Sequence, residues 1–315
     1  MSLYLVTGGA GFIGSHLTEE LLRRGERVRI ADSLITGNRR NVELLKGAEF
    51  LEGDLAELEF ARKAVAGADF VLHQAAIPSV PRSVQDPITS NRANVDASLN
   101  VLVAARDARV KRVVYAGSSS AYGNTPTLPK REDMPTDPLS PYALQKLVGE
   151  RYMLLFTSLY GLETVTIRYF NVFGPRQDPS SPYSGVISLF AKALLENRSP
   201  IIYGDGEQTR DFTYVANVVD GVLRACTANA SGQVINVATG TRISLNKLFF
   251  AVREITGASV NPSYGPPRDG DVRDSLADIS KARQLLGYEP IVSFEDGLQK
   301  TLEWYRSDVV TPARS

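Results

Sequence analysis

The chain has 315 residues, 43% of them hydrophobic, and Lys+Arg and Asp+Glu balance at 35 each. A chain of that size buries a large core, and its zero net charge excludes overall electrostatic attraction to nucleic acid or an anionic membrane. No apolar run approaches the ~20 residues that cross a bilayer. The start MSLYLVTGGAGFIG lacks the charged flank of a signal peptide, and the lone Cys226 cannot pair internally and is read as a buried, inert thiol. The expectation is a soluble cytoplasmic protein without membrane or nucleic-acid partners and without a metal site.

In chain order, the β-rich runs LYLVT, RVRIAD, EFLEGD, FVLHQA, RVVYAGS and TVTIRYF alternate with helical stretches. Helices are expected at His16 to Arg24, stopping at Gly25, then at Glu57 to Ala66, Asn94 to Ala108 and Tyr142 to Tyr160. Repeated βαβ units of this kind predict an α/β, Rossmann-like, doubly wound parallel sheet. After Phe170 the texture changes to the Pro/Gly/Ser-rich NVFGPRQDPSSPYSG. Residues 1–170 are therefore expected to form a dinucleotide-binding domain, with a return segment near 211–238. Residues 171–315 form a smaller C-terminal α/β substrate domain, with helices near Val186 to Glu196, Ala216 to Thr227 and Leu245 to Thr256, one ending at Gly287, and one from Phe294 to Arg306.

The first strand runs into Gly8, Gly9, Ala10, Gly11, Phe12, Ile13 and Gly14 and then a helix. That context lets the backbone approach a pyrophosphate at a helix N-terminus. Asp32, ending the second strand, suits the adenosine ribose hydroxyls and repels a 2′-phosphate, which favours NAD over NADP. Arg39 and Arg40 read as a solvated basic turn. Asp54, after the third strand, is placed either to accept from the adenine amino group or to cap a helix.

The segment Ser140 to Lys146 opens a helix with a good N-cap and a proline at its first position. Tyr142 and Lys146 lie one turn apart on one face. An adjacent ammonium, the positive helix end and an oxidised nicotinamide are together expected to lower the phenol's pKa, which fits it to take a hydroxyl proton as hydride leaves. The fifth strand delivers Ser118, Ser119 and Ser120 to the carboxyl edge of the sheet, where ligands of open α/β sheets bind. Ser118 is the candidate to hydrogen-bond the reacting hydroxyl.

With these residues in place, the sequence resembles the extended short-chain dehydrogenase/reductase family, above all its nucleotide-sugar 4-epimerases. TGGAGFIG, Asp32, GDL, HQAA, SSSAYG, SPYALQK, RYFNVFGPRQ, QTRDFTYV and RDGDVRDSLAD carry that resemblance over nearly the whole chain. It implies Ser118, with Ser119 as its rival, as the assisting hydroxyl, Tyr142 as base and Lys146 as helper. It implies NAD held by Gly8, Gly11, Phe12, Ile13, Gly14, Asp32, Asp54, Leu55, Ala75, Asn94, Tyr142, Lys146 and Tyr169. It implies a UDP-hexose held by Ser79, Ser118, Tyr142, Asn171, Tyr203, Arg210, Arg268, Asp271 and Ser275.

Relatives that dehydrate or decarboxylate the sugar carry acids between the assisting hydroxyl and the Tyr-Gly pair. Here Ser119, Ser120 and Ala121 stand there, so C4 epimerisation through a transient 4-keto sugar is implied. A small Ser275 implies room for an N-acetyl group. A homodimer through the helices from Asn94 and Tyr142 is implied as well. The competing readings are another nucleotide-sugar epimerase or reductase of the family, and a non-catalytic NAD-binding protein.

Overall fold

A computed structural model describes residues 1–178, 185–267 and 273–310. Six strands of the N-terminal half, β1 (Leu3–Thr7), β2 (Arg27–Asp32), β3 (Glu49–Glu52), β4 (Phe70–His73), β5 (Arg112–Ser118) and β6 (Thr164–Tyr169), follow the six apolar runs of the sequence. The later strands are β7 (Asn171–Phe173), β8 (Ile201–Tyr203), β9 (Thr209–Arg210), β10 (Phe212–Tyr214), β11 (Gln233–Val237), β12 (Ile243–Ser244) and β13 (Ser263–Gly265). One seven-stranded sheet has the order β11-β6-β5-β4-β1-β2-β3, and all its pairings are parallel. Parallel neighbours need long crossover connections, which here carry helices, so the sheet is covered on both faces. All five residues of β1 are accordingly buried.

Strand alternation sorts the core into two layers. Tyr4, Val6, Leu72 and Val114 face one cluster, with Leu17 and Leu21 of α1 (Phe12–Arg23). Leu5, Val71, Val113 and Tyr115 face the other, with residues of three helices that cover that side. After α2 (Arg39–Leu44) these are α3 (Leu58–Val65), then, beyond the short α4 (Val80–Gln85) and α5 (Pro87–Asn91), α6 (Ala97–Asp107), and α7 (Pro141–Tyr160). The C-terminal half adds α8 (Val186–Leu195), α9 (Val215–Ala225), α10 (Leu245–Thr256), α11 (Ser280–Leu286) and α12 (Phe294–Val310). Its strand β11 returns to the sheet beside β6, in register from Gln233 opposite Val165 to Val237 opposite Tyr169.

Three local features depart from the sequence expectation. Arg39 and Arg40 open helix α2, capped by the Asn38 side chain on the Arg40 amide, rather than a basic turn. The helix expected from Asn94 starts earlier, at Pro87, and passes through a π-turn at Arg92–Asp96. The segment SVPRSVQ, left without structure by the sequence reading, forms α4, because Ser79 caps it on the Arg82 amide and Pro81 sits in the first turn where no N–H is needed. Among the described residues no helix is long and apolar enough to cross a membrane.

Candidate active site

The carboxyl edge of the sheet opens into a cleft of about 2080 Å³. That exceeds the ~300–1,000 Å³ of a typical single-ligand pocket and leaves room for two extended ligands. Its floor is the turn between β1 and α1. A Cβ on Gly14 would stand 2.2 Å from the Gly8 carbonyl oxygen, and one on Gly8, whose φ is +68°, would stand 2.7 Å from the Ala75 nitrogen. The turn is therefore as tight as L-residues without side chains allow. Gly11 caps α1 with no side-chain acceptor, so the first amides of the helix await an acceptor from outside.

Asp32 fixes the rim of this floor by accepting from the Ala10 and Leu34 amides at 3.0 and 2.9 Å. Burial raises its pKa, and these backbone bonds counter the rise. A further observation fits a dinucleotide. The amide nitrogen Nε2 of Gln74 is buried in the cleft wall without a partner among the described residues, while its Oε1 accepts from the Tyr169 hydroxyl at 2.8 Å. Arg39, a basic residue of the cleft lining, is paired with Glu52 at 2.5 Å.

A buried relay supports the loop after β4. His73 is wholly enclosed, with Nδ1 at 2.7 Å from the Thr7 hydroxyl and Nε2 at 3.0 Å from Ser98. Ser98 donates its proton to the Asn94 carbonyl at 2.6 Å, so the ring must be the Nε2–H tautomer and accept from Thr7. The Thr7 oxygen is then free to accept the Gln74 and Ala75 amides at 3.1 and 3.2 Å. Burial, with Lys146 nearby, lowers His73 to about 3, so the relay stays neutral in the physiological range.

The catalytic candidates converge from β5 and α7. Ser140 caps α7 by accepting the Ala143 amide at 3.2 Å, and Pro141 begins the helix. The Ser83 hydroxyl of α4 accepts the Tyr142 amide at 3.0 Å, which fixes the first turn from a second side. Tyr142, Lys146 and Ser118 all line the cleft. Ser118 is near enough to the Tyr142 phenol to lower its pKa, and its hydroxyl lies 2.7 Å from the Ser120 hydroxyl.

The electrostatics of the pair show what the protein's own groups contribute to the phenol. Burial pushes the Tyr142 phenol up to about 12, against a lowering effect of Ser118, and the same burial pushes the Lys146 ammonium down to about 7. The neighbouring ammonium does not by itself lower the phenol, because desolvation of two enclosed groups outweighs their mutual help.

The remaining expected residues divide into three groups. Phe12, Ile13, Asp54, Leu55, Ala75, Ser79, Asn171, Arg210 and Ser275 line the cleft with the residues already described. Asp54 also accepts the Ala56 amide at 2.9 Å and caps no helix, since the N-cap position of α3 belongs to Glu57, whose side chain makes no capping bond. Arg210 donates Nη1 to the carbonyls of Thr209 and Arg273 at 2.9 and 3.0 Å, and Ser275 is held by its amide on the Thr209 carbonyl at 3.1 Å.

Two expected residues do not reach the cleft among the described residues. Asn94 is buried; its Oδ1 accepts the Ile77 amide at 2.8 Å and its Nδ2 donates to Gln145 at 2.8 Å, so it ties the loop after β4 to α7 rather than facing a ligand. Tyr203 packs its ring on Gly265 across the β8–β13 pair. Arg268 and Asp271 lie outside the described residues. Three contributors escaped the sequence reading. Gln74 sits inside the HQAA motif, whereas Ser83 and Tyr115 act from behind the site and carry no motif.

Residues 4–238 match the family described as the NAD dependent epimerase/dehydratase family. The chain belongs to that family. It is 40% identical over 308 residues to the UDP-glucose 4-epimerase of Mycolicibacterium smegmatis, covering 96% of this chain and 98% of that protein. Its fold superposes with a TM-score of 0.94 on the Thermotoga maritima UDP-glucose 4-epimerase crystallised with UDP-glucose, at 38% identity over 98% of this chain and 99% of that one. The TM-score is also 0.94 to the UDP-N-acetylglucosamine 4-epimerase of Methanobrevibacter ruminantium in complex with UDP-N-acetylmuramic acid, at 39% identity over 98% of this chain and 99% of that one. The family membership, the glycine turn and the orphaned Gln74 amide agree that the cofactor is NAD.

Proposed function

We propose that this enzyme inverts C4 of a UDP-hexose, interconverting UDP-glucose and UDP-galactose and accepting UDP-GlcNAc and UDP-GalNAc as well. The observation that carries the reading is the Ser118, Tyr142 and Lys146 constellation, with Ser119, Ser120 and Ala121, and no acid, between Ser118 and Tyr122. A dehydratase or decarboxylase of the family needs acid–base groups that this stretch lacks. Relatives of 38–40% identity with 4-epimerase activity support the same conclusion.

In the cycle, Tyr142 takes the proton of the C4 hydroxyl and Ser118 steadies the oxygen as it becomes a carbonyl. Lys146 keeps positive charge beside the phenolate, lowering the energy of that proton transfer. NAD, when bound, supplies the hydride acceptor and donor. Gly8, Gly11 and Gly14 leave space for its diphosphate against the α1 amides, Asp32 suits the ribose hydroxyls, and Gln74 and Tyr169 wall its far end. Asn171 and Arg210 hold the nucleotide diphosphate, so the 4-keto sugar can turn over in the cleft; hydride would then return to the opposite face of C4 while Tyr142 gives its proton back to the oxygen, which leaves C4 inverted.

Incubation with the four UDP-sugars, followed by chromatographic separation, is expected to show each sugar pair reaching equilibrium without net reduction of NAD. Accumulation of reduced cofactor in step with a ketone product would instead establish a dehydrogenase. Ser275→Tyr is expected to depress turnover of the N-acetylated pair and spare UDP-galactose; equal loss on both refutes the pocket assignment.

A cytoplasmic setting is consistent with Cys226, which is buried and pushed by burial up to about 12, an inert thiol. Association into a homodimer is supported by an outward stripe on α7, where Leu144, Leu155 and Leu159 are exposed, next to an exposed Ile88 on α5. Sedimentation of the purified protein at the monomer mass would exclude it.

A further inference from the structure

Lys146 is only 4% exposed, yet among the described residues no carboxylate pairs with its ammonium. What lies against it is an aromatic face: Nζ stands 4.5 Å from the ring centroid of Tyr115, on the neighbouring strand β5. Tyr115 is wholly buried and cannot swing away. Its hydroxyl sits 3.4 Å from the Lys146 carbonyl oxygen, and a Cβ on Gly149 would meet that hydroxyl at 2.2 Å. A glycine in a helix interior is unfavourable for the helix itself; here it is what lets α7 settle onto the tyrosine.

The other groups near the ammonium offer it no net negative charge. His73 of β4, 5.7 Å from the Tyr115 ring, is neutral. Tyr142, one turn earlier on α7, is a protonated phenol before reaction. Glu150, one turn later, is taken up by Arg168 at 2.7 and 2.9 Å.

We propose that Tyr115 is a positioning residue that keeps Lys146 charged by presenting the negative face of its ring to the buried ammonium. The proposal rests on the reading of Lys146 as the partner of Tyr142. Burial alone drives Lys146 down to about 7, so near neutral pH a small bias decides how much of it carries the proton. A desolvated cation–π contact biases toward the charged form by about one pH unit.

The test titrates the nitrogen resonance of Lys146 Nζ in NAD-loaded enzyme, alongside the pH profile of kcat/KM. Tyr115→Phe keeps the ring and is expected to titrate with wild type. Tyr115→Leu is expected to lower the Lys146 midpoint by about one unit and to draw the high-pH limb of the profile down with it. Replacement of Tyr115 by phenylalanines of increasing fluorination, which drain the face of the ring at nearly constant shape, is expected to lower the midpoint in graded steps. This series also decides the matter if Tyr115→Leu does not fold. A Lys146 midpoint indifferent to fluorination overturns the proposal. The catalytic reading fails by a different result, full interconversion of sugars by Tyr142→Phe, which leaves the nitrogen titration interpretable.

Discussion

Two buried cations sit on tyrosine rings in this molecule, and they differ in what else they touch. Arg168 lies 4.5 Å from the centroid of Tyr122 and makes a two-pronged ion pair with Glu150, both partners being 2% exposed. Lys146 lies the same 4.5 Å from Tyr115 but, among the described residues, has no carboxylate partner. The paired cation is a guanidinium, charged at any working pH by its own chemistry, and against the lowering effect of burial the Glu150 bond raises it further and fixes its position. The unpaired one is left near its titration point. A carboxylate fixes a charge, whereas a ring only tilts the balance, and only the tilted cation can respond to what binds in the cleft.

Substitutions break the comparison in opposite ways. Tyr142→Phe and Lys146→Met are expected to cut turnover by ~10²–10⁴-fold, while Lys146→Met leaves unfolding by denaturant unchanged or shifted to higher denaturant, because a desolvated ammonium has been removed. Glu150→Gln is expected to do the reverse. It strands Arg168 without its carboxylate at a cost of ~3–5 kcal/mol of stability, read as a lower denaturation midpoint, with the folded fraction still active. If Glu150→Gln abolished activity at unchanged stability, the assignment of the two cations would be inverted.

A pH series sharpens the contrast with a smaller effect. The folded-state value of Lys146, about 7, lies below its ordinary 10.5, so the unfolded chain binds that proton more readily. The destabilisation is full below about 7 and fades as pH rises toward 10.5; stability from this group therefore increases with pH across that window. The increase should be present in wild type and missing in Lys146→Met, measured as the difference between their denaturation midpoints at each pH. Above 10 the raised Tyr142 works the other way, since the unfolded phenol ionises first, which confines the measurement to the lower part of the range.

The strands of the N-terminal half were legible as short apolar runs between helical stretches; β1, β2 and β5 have the boundaries of LYLVT, RVRIAD and RVVYAGS. The glycine turn and the face shared by Tyr142 and Lys146 followed from local spacing alone. What stayed hidden depends on contacts across layers. Prolines concealed α4 and α5, although each proline stands in a first turn, where it is harmless. The π-turn at Arg92–Asp96 has no residue pattern of its own. The Asn94 side chain faces inward, to Ile77 and Gln145, a choice set by tertiary packing. Helical spacing brought Tyr142 and Lys146 together on α7, but nothing local announces that the aromatic residue beneath them comes from β5 or that burial outweighs the ammonium in setting the phenol.

The return of β11 to the edge of β6 has a consequence for how the protein is made. Until residues 233–237 have left the ribosome, β6 exposes a row of unsatisfied backbone donors and acceptors along its outer side. A nascent chain stopped anywhere between 170 and 232 is thus a ready template for intermolecular strand pairing. Truncations designed to isolate the N-terminal half should be expected in the insoluble fraction, and the shortest well-behaved fragment is one that carries β11 with it.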